Sequence, residues 1–111
     1  MLAASAISAL ITEYVKHGWV LRRVLLSDFP NEGEMSALFA DAEVITSDID
    51  ALWFSRRSRP DRETWELRRL KGTPYAVDSF LENTMDAETR EEILAAAEDR
   101  IRESMIIFSD N

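Results

Sequence analysis

Asp48 and Asp50, in the run Ser47-Asp48-Ile49-Asp50, stand two residues apart. In an extended strand that spacing turns both carboxylates to one face. Two carboxylates on one face can hold Mg²⁺, a hard ion that prefers oxygen ligands. The same run also reads as a solvated turn ahead of a strand, because Ser and Asp side chains bond to nearby backbone. Composition closes most other chemistries. The chain has no cysteine and one histidine, His17, which excludes thiolate nucleophiles, disulfides and two-histidine zinc motifs. No nucleophile elbow or oxyanion-hole glycines accompany His17, so it reads as a surface residue near a helix end. With glycine only at positions 18, 33 and 72, neither a P-loop nor a dinucleotide fingerprint can be written.

The second constellation is cationic and aromatic. Residues 52–72 hold seven basic and three acidic residues, Arg56, Arg57, Arg59, Arg62, Arg68, Arg69 and Lys71 supplying the positive charge, in a chain whose net charge is −8. Either these arginines pair with the acidic segments around them or they form an anion-binding patch. Trp53, Trp65 and the arginines belong to residue types enriched at interaction hot spots, and they suit stacking on bases and clamping of phosphates. The competing reading puts both tryptophans in the core, with arginine stems laid over it.

Ser47-Asp48-Ile49-Asp50 resembles the S-D-I-D signature of the minimal nucleotidyltransferases. Residues 21–27, LRRVLLS, are similar to that family's first strand after a first helix. Residues 72–78, GTPYAVD, are similar to the late segment that supplies a third carboxylate, here Asp78. The resemblance spans about half of the chain and implies an Mg²⁺-dependent enzyme with Asp48, Asp50 and Asp78 as ligands. The chain departs from the family where Leu26 is followed by Ser27-Asp28-Phe29-Pro30 instead of the Gly-Ser pair that holds a triphosphate. It departs again where a hairpin, not a helix, follows Asp50.

These residues need elements to position them. At 111 residues, 46% hydrophobic and 31% charged, the chain has room for one globular domain, residues 1–111. Ile7, Leu10, Ile11, Tyr14 and Val15 follow helical spacing, so helix one runs from about Ala3 to His17, with Gly18 closing it. No Lys or Arg precedes Lys16, which argues against a signal peptide, and the uncharged run is too short to span a bilayer. The cytoplasm is therefore the expected compartment. Trp19 to Leu26 reads as a strand, Glu34 to Ala40 as a short helix with Met35, Leu38 and Phe39 inward, and Glu43 to Thr46 as a short strand. Ala51 to Arg57 and Glu63 to Leu70 form a hairpin about Pro60-Asp61. Centring the turn there sets Phe54 opposite Leu67 and Trp53 opposite Arg68. One face then carries Leu52, Phe54, Trp65 and Leu67, and the other Trp53, Arg57 and Arg68, although a slip of one residue would exchange the faces. Tyr75 to Leu81 is ambiguous. The last helix starts near Asp86, with Ile93, Ala97, Ile101, Met105 and Phe108 as its stripe.

The expected architecture is α+β: a small antiparallel sheet of three to four strands, with the first and last helices packed on one face. The expected function is that of an acidic, non-enzymatic binding module without a cofactor. It would self-associate as a homodimer, or bind another protein, through Trp53, Arg57 and Arg68 on the sheet. The alternatives are the nucleotidyltransferase-like enzyme and an anion or nucleic-acid binder acting through residues 56–71, which the net charge disfavours.

Overall fold

The computed structural model describes residues 4–28, 37–39 and 41–109, the last five by their backbone alone. In chain order the elements are α1 (Ala4–Lys16), β1 (Val20–Leu26), β2 (Glu43–Thr46), β3 (Ala51–Arg59), β4 (Arg62–Arg69), β5 (Ala76–Glu82) and α2 (Ala87–Ser109). The strands form one five-stranded sheet in the order β2-β1-β3-β4-β5. β2 runs parallel to β1, and every other neighbouring pair is antiparallel. The fold is therefore α+β with long helices first and last, but the sheet is mixed and larger than three or four strands. The connection from Leu26 to Glu43 exceeds the dozen residues that a parallel crossover needs. In the ambiguous segment, Val77, Ser79 and Leu81 alternate inward along β5, so it is a strand.

The helices do not share a face. Leu94, Ala97 and Ile101 of α2 pack on Leu25, Trp53, Trp65, Leu67, Val77 and Leu81. Ile7 of α1, with Leu10, Ile11 and Tyr14, packs on Val24, Leu26, Leu52 and Phe54. Ala51-Leu52-Trp53-Phe54 is a continuous buried apolar run. Such a strand needs cover on both sides, so one-sided packing is excluded. Each large side chain so buried contributes roughly 1.5–3 kcal/mol.

The hairpin register also differs from the turn-centred expectation. Arg59 does pair with Arg62, as a turn at Pro60-Asp61 requires. A bulge between Arg57 and Arg59 then shifts all later pairs by one, giving Trp53 opposite Leu67 and Phe54 opposite Glu66. Trp53 therefore joins Trp65 and Leu67 on the α2 side, and Arg68 lies on the other.

The helix ends follow local rules. Gly18 has φ 89°, while its N–H bonds to the Val15 carbonyl at 3.0 Å and the Trp19 N–H reaches the Tyr14 carbonyl at 3.1 Å, closing α1. At α2, Asp86 Oδ1 accepts the Thr89 N–H at 2.8 Å, which holds its carboxyl below the usual range. Phe39 is buried and Leu38 half-buried, whereas Met35 and the side chains of Met105 and Phe108 lie outside the described residues. Among the described residues no helix is long and apolar enough to cross a membrane.

Candidate functional site

The carboxylates singled out for metal binding are held apart. Asp48 and Asp50 lie in the link between β2 and β3, not in a strand, and Ile49 between them is buried in the α2-side core. Asp48 faces α2, where both its oxygens accept from Arg102 Nε at 2.9 Å. That guanidinium holds its carboxyl below the usual range. Asp50 turns to the end of β1. It accepts the Ser27 N–H at 2.9 Å and the Ser27 hydroxyl at 3.0 Å, and Lys71 Nζ stands 3.2 Å away. Burial would raise its pKa, but these donors outweigh it and the carboxyl sits low. Asp78 is in mid-β5, opposite Glu66 and two strands from β3. Adjacent strands lie about 4.8 Å apart, so that step alone separates them by about 10 Å. Among the described residues no three His, Cys, Asp or Glu side chains converge to hold a metal ion. His17 is exposed at the end of α1, 3.2 Å from Glu13.

A polar cluster ties α1 to the sheet. The Tyr14 hydroxyl donates to Glu66 Oε2, and its ring stacks on Phe54 with centroids 4.0 Å apart. Burial and the neighbouring Glu66 carboxyl push the Tyr14 pKa up to about 12. Burial, followed by the carboxyl of Asp78, raises that of Glu66. The Arg68 guanidinium lies against Tyr14 and in the field of Glu66. Neither a histidine nor a metal-ligating set adjoins this cluster among the described residues, so its evident work is anchoring α1.

The three residues expected on one binding face are dispersed. Trp53 is 0% exposed, and its indole N–H donates to Glu98 Oε2 at 3.0 Å. Its ring meets Trp65 edge to face, so no pair with Arg68 forms. Arg68 sits under α1. Arg57 is exposed near the hairpin tip, where its guanidinium donates to the Pro60 carbonyl at 2.9 Å.

The tip itself carries the unspent charge. Arg56 lies over the Trp19 ring at 4.6 Å and donates to the His17 carbonyl at 3.1 Å. Arg62 lies over the Phe80 ring at 5.0 Å. Arg59 is exposed, and its side chain has no hydrogen bond or ion pair among the described residues. None of Arg56, Arg57, Arg59 and Arg62 makes an ion pair among the described residues; the bridges to α2 come from Arg23, Arg90 and Arg102 instead. Arg56, Thr64 and Phe80 stand in one cross-strand row on the α1 side of the sheet. Phe80 is 52% exposed there. Trp19 and Phe80 were not among the expected site residues. The signal for Phe80 was its alternation with the apolar Val77 and Leu81, legible once the segment is taken as a strand. Comparison of the chain with protein-family models, with curated proteins and with solved structures gives no match.

Proposed function

We propose that this chain is a binding module for a polyanionic partner, engaged through the arginine-rich end of the β3–β4 hairpin. The observation that carries this is that, among the described residues, Arg56, Arg57, Arg59 and Arg62 make no ion pair, although the register sets Arg57 opposite Glu63 and Arg62 opposite Glu82, in a chain with eight excess negative charges. Intramolecular neutralisation of those arginines would have been the simplest outcome. The acidic remainder repels a polyanion elsewhere and steers it to the tip. Two of the guanidinia are paired with aromatic rings, Trp19 and Phe80. Cations beside aromatic platforms are the equipment with which proteins bind single-stranded nucleic acid.

Fluorescence anisotropy with a labelled single-stranded oligonucleotide, over a salt series, tests the proposal. Binding should weaken linearly in log–log form, and Arg57→Ala and Arg59→Ala should each reduce the slope by about 0.7. Trp19→Ala and Phe80→Ala should weaken binding to the oligonucleotide more than to heparin, which has no bases to stack. Absence of binding at the lowest salt would defeat the proposal.

Self-association through the edge of the sheet has its own supporting observation, the exposed Phe80 on the edge strand β5. Asp78 and Glu82, exposed beside it, oppose edge pairing. Sedimentation velocity separates the two: a dimer dispersed by Phe80→Asp favours self-association.

A further inference from the structure

The sheet face under α1 is only partly covered. The apolar cluster beneath the helix draws on β1 and β3 and takes no side chain from β5. Ala76, Asp78, Phe80 and Glu82 of β5 are exposed on that face. Toward the hairpin tip the open part carries one row at right angles to the strands. Arg56 lies opposite Thr64, and Thr64 opposite Phe80. Val20 pairs with Ser55, so the next step of that register brings Trp19 to Arg56, whose guanidinium lies over its ring. We propose that the polyanionic partner is a single strand of nucleic acid, laid along this row from Trp19 to Phe80 across the β-strands. This path rests on the polyanion site proposed above, and adds which kind of chain lies there and in which direction.

The ends of the row favour unpaired bases. Arg56 stacks on Trp19 at 4.6 Å and Arg62 on Phe80 at 5.0 Å. Rings and guanidinium planes both accept the face of a base. A duplex keeps those faces inside its own stack and shows only base edges in its grooves. Phe80, 52% exposed, is an apolar ring that the fold itself does not bury.

Charge sets the direction. Glu66 and Asp78 form the next row away from the tip, about 7 Å further along the strands. Arg59 and Arg62 pair on the tip side. A phosphate chain turned down the strands would run over the two carboxylates. One that crosses the strands keeps its phosphates beside the arginines. From β1 to β5 the row crosses three strand spacings, about 14 Å. Stacked bases advance about 3.4 Å each, so bridging both rings takes about four base steps. A dinucleotide reaches one ring only.

The test is anisotropy of a labelled thymidine octanucleotide on the intact protein at low salt, with amide shifts mapped by two-dimensional NMR. Competitors are the dinucleotide, a hairpin-closed duplex of eight base pairs, and heparin. The octanucleotide should bind at least tenfold more tightly than the dinucleotide or the duplex, although the duplex carries about twice its charge. It should shift the amides of Trp19, Arg56, Thr64 and Phe80 and the Trp19 indole N–H. Phe80→Ala, at an exposed position, should lose fivefold or more on the octanucleotide and stay within twofold on heparin. Asp78→Asn, which removes a negative charge beside the row, should tighten the octanucleotide about twofold. Thermal melts confirm that both variants are folded. Duplex binding as tight as the octanucleotide's, unchanged affinity in Phe80→Ala, no gain in Asp78→Asn, or shifts confined to residues 57–61 would overturn this path and leave a polyanion site at the tip. Binding of none of the probes, heparin included, would overturn both.

Discussion

Arginines on the α2 side of the sheet and arginines at the hairpin tip differ in what stands opposite them. Arg23 grips Glu91 at 2.6 Å, Arg90 reaches Glu63 at 3.4 Å, and Arg102 reaches Asp48 at 2.8 Å. The guanidinium of Arg23 holds the Glu91 carboxyl below its usual range, and Asp48 in turn raises the pKa of Arg102. Arg57 and Arg59, near the hairpin tip, make no ion pair among the described residues, although the register sets Arg57 opposite Glu63. The same residue type therefore fastens elements together in one region and remains available to a partner in the other. Position relative to the acidic helix decides which, and charge count alone does not.

The sharpest break between the regions comes from Trp53. Trp53→Ala should empty a fully buried site on the α2 side and leave Glu98 without its indole donor. The expected loss is about 3–5 kcal/mol, read from urea unfolding. A near-neutral result would mean that the α2 side is not the stabilising half. Asp50→Ala should follow, at about 1–3 kcal/mol, because the Ser27 N–H and Lys71 lose their buried acceptor.

Acid titration separates two carboxyls with opposite signs. Asp50 is held low in the fold, so its stabilisation is present above the ordinary carboxylate pKa, about 4, and is lost as pH falls through the lower folded value. Glu66 is held high, so its protonated form favours the fold. That contribution is present at low pH and lost as pH rises from the unfolded value through the raised one. Glu66→Gln should remove this loss and flatten the stability curve on the neutral side of the carboxylate range, with Tyr14 still able to donate to the amide oxygen. A curve unchanged by the substitution would remove Glu66 from the pH response.

The smallest effects on stability complete the comparison. Arg102→Ala should cost about 1 kcal/mol or less, since Asp48 is exposed. The double variant Arg57→Ala with Arg59→Ala should stay within about 0.5 kcal/mol of the parent. That variant should nonetheless weaken polyanion binding several-fold, where Arg102→Ala should not. Equal effects of both on binding would erase the distinction drawn between the regions.

Much of the local structure was legible. Glycine at 18, the Asp86 cap and the Pro60-Asp61 turn act through backbone chemistry within a few residues, and each element forms where that chemistry places it. The candidate site was less legible. Arg57 is exposed, but Trp53 was assigned to the wrong face because one bulged residue, between Arg57 and Arg59, exchanges the faces of a strand whose side chains alternate. Asp48 and Asp50 share a spacing that unites carboxylates only in a strand, and the chain there turns instead.

The sequence by itself determined the element types outside the segment that became β5, the long first and last helices, the hairpin and the concentration of positive charge in residues 52–72. Those depend on periodicity, caps and composition, which are short-range properties. Only the tertiary structure decided that the helices cover opposite faces, that β2 joins in parallel, that Trp53 is core, and that the tip arginines make no ion pair among the described residues. Each of these depends on which distant segments meet, and neighbours in space are set by the packing of the whole sheet.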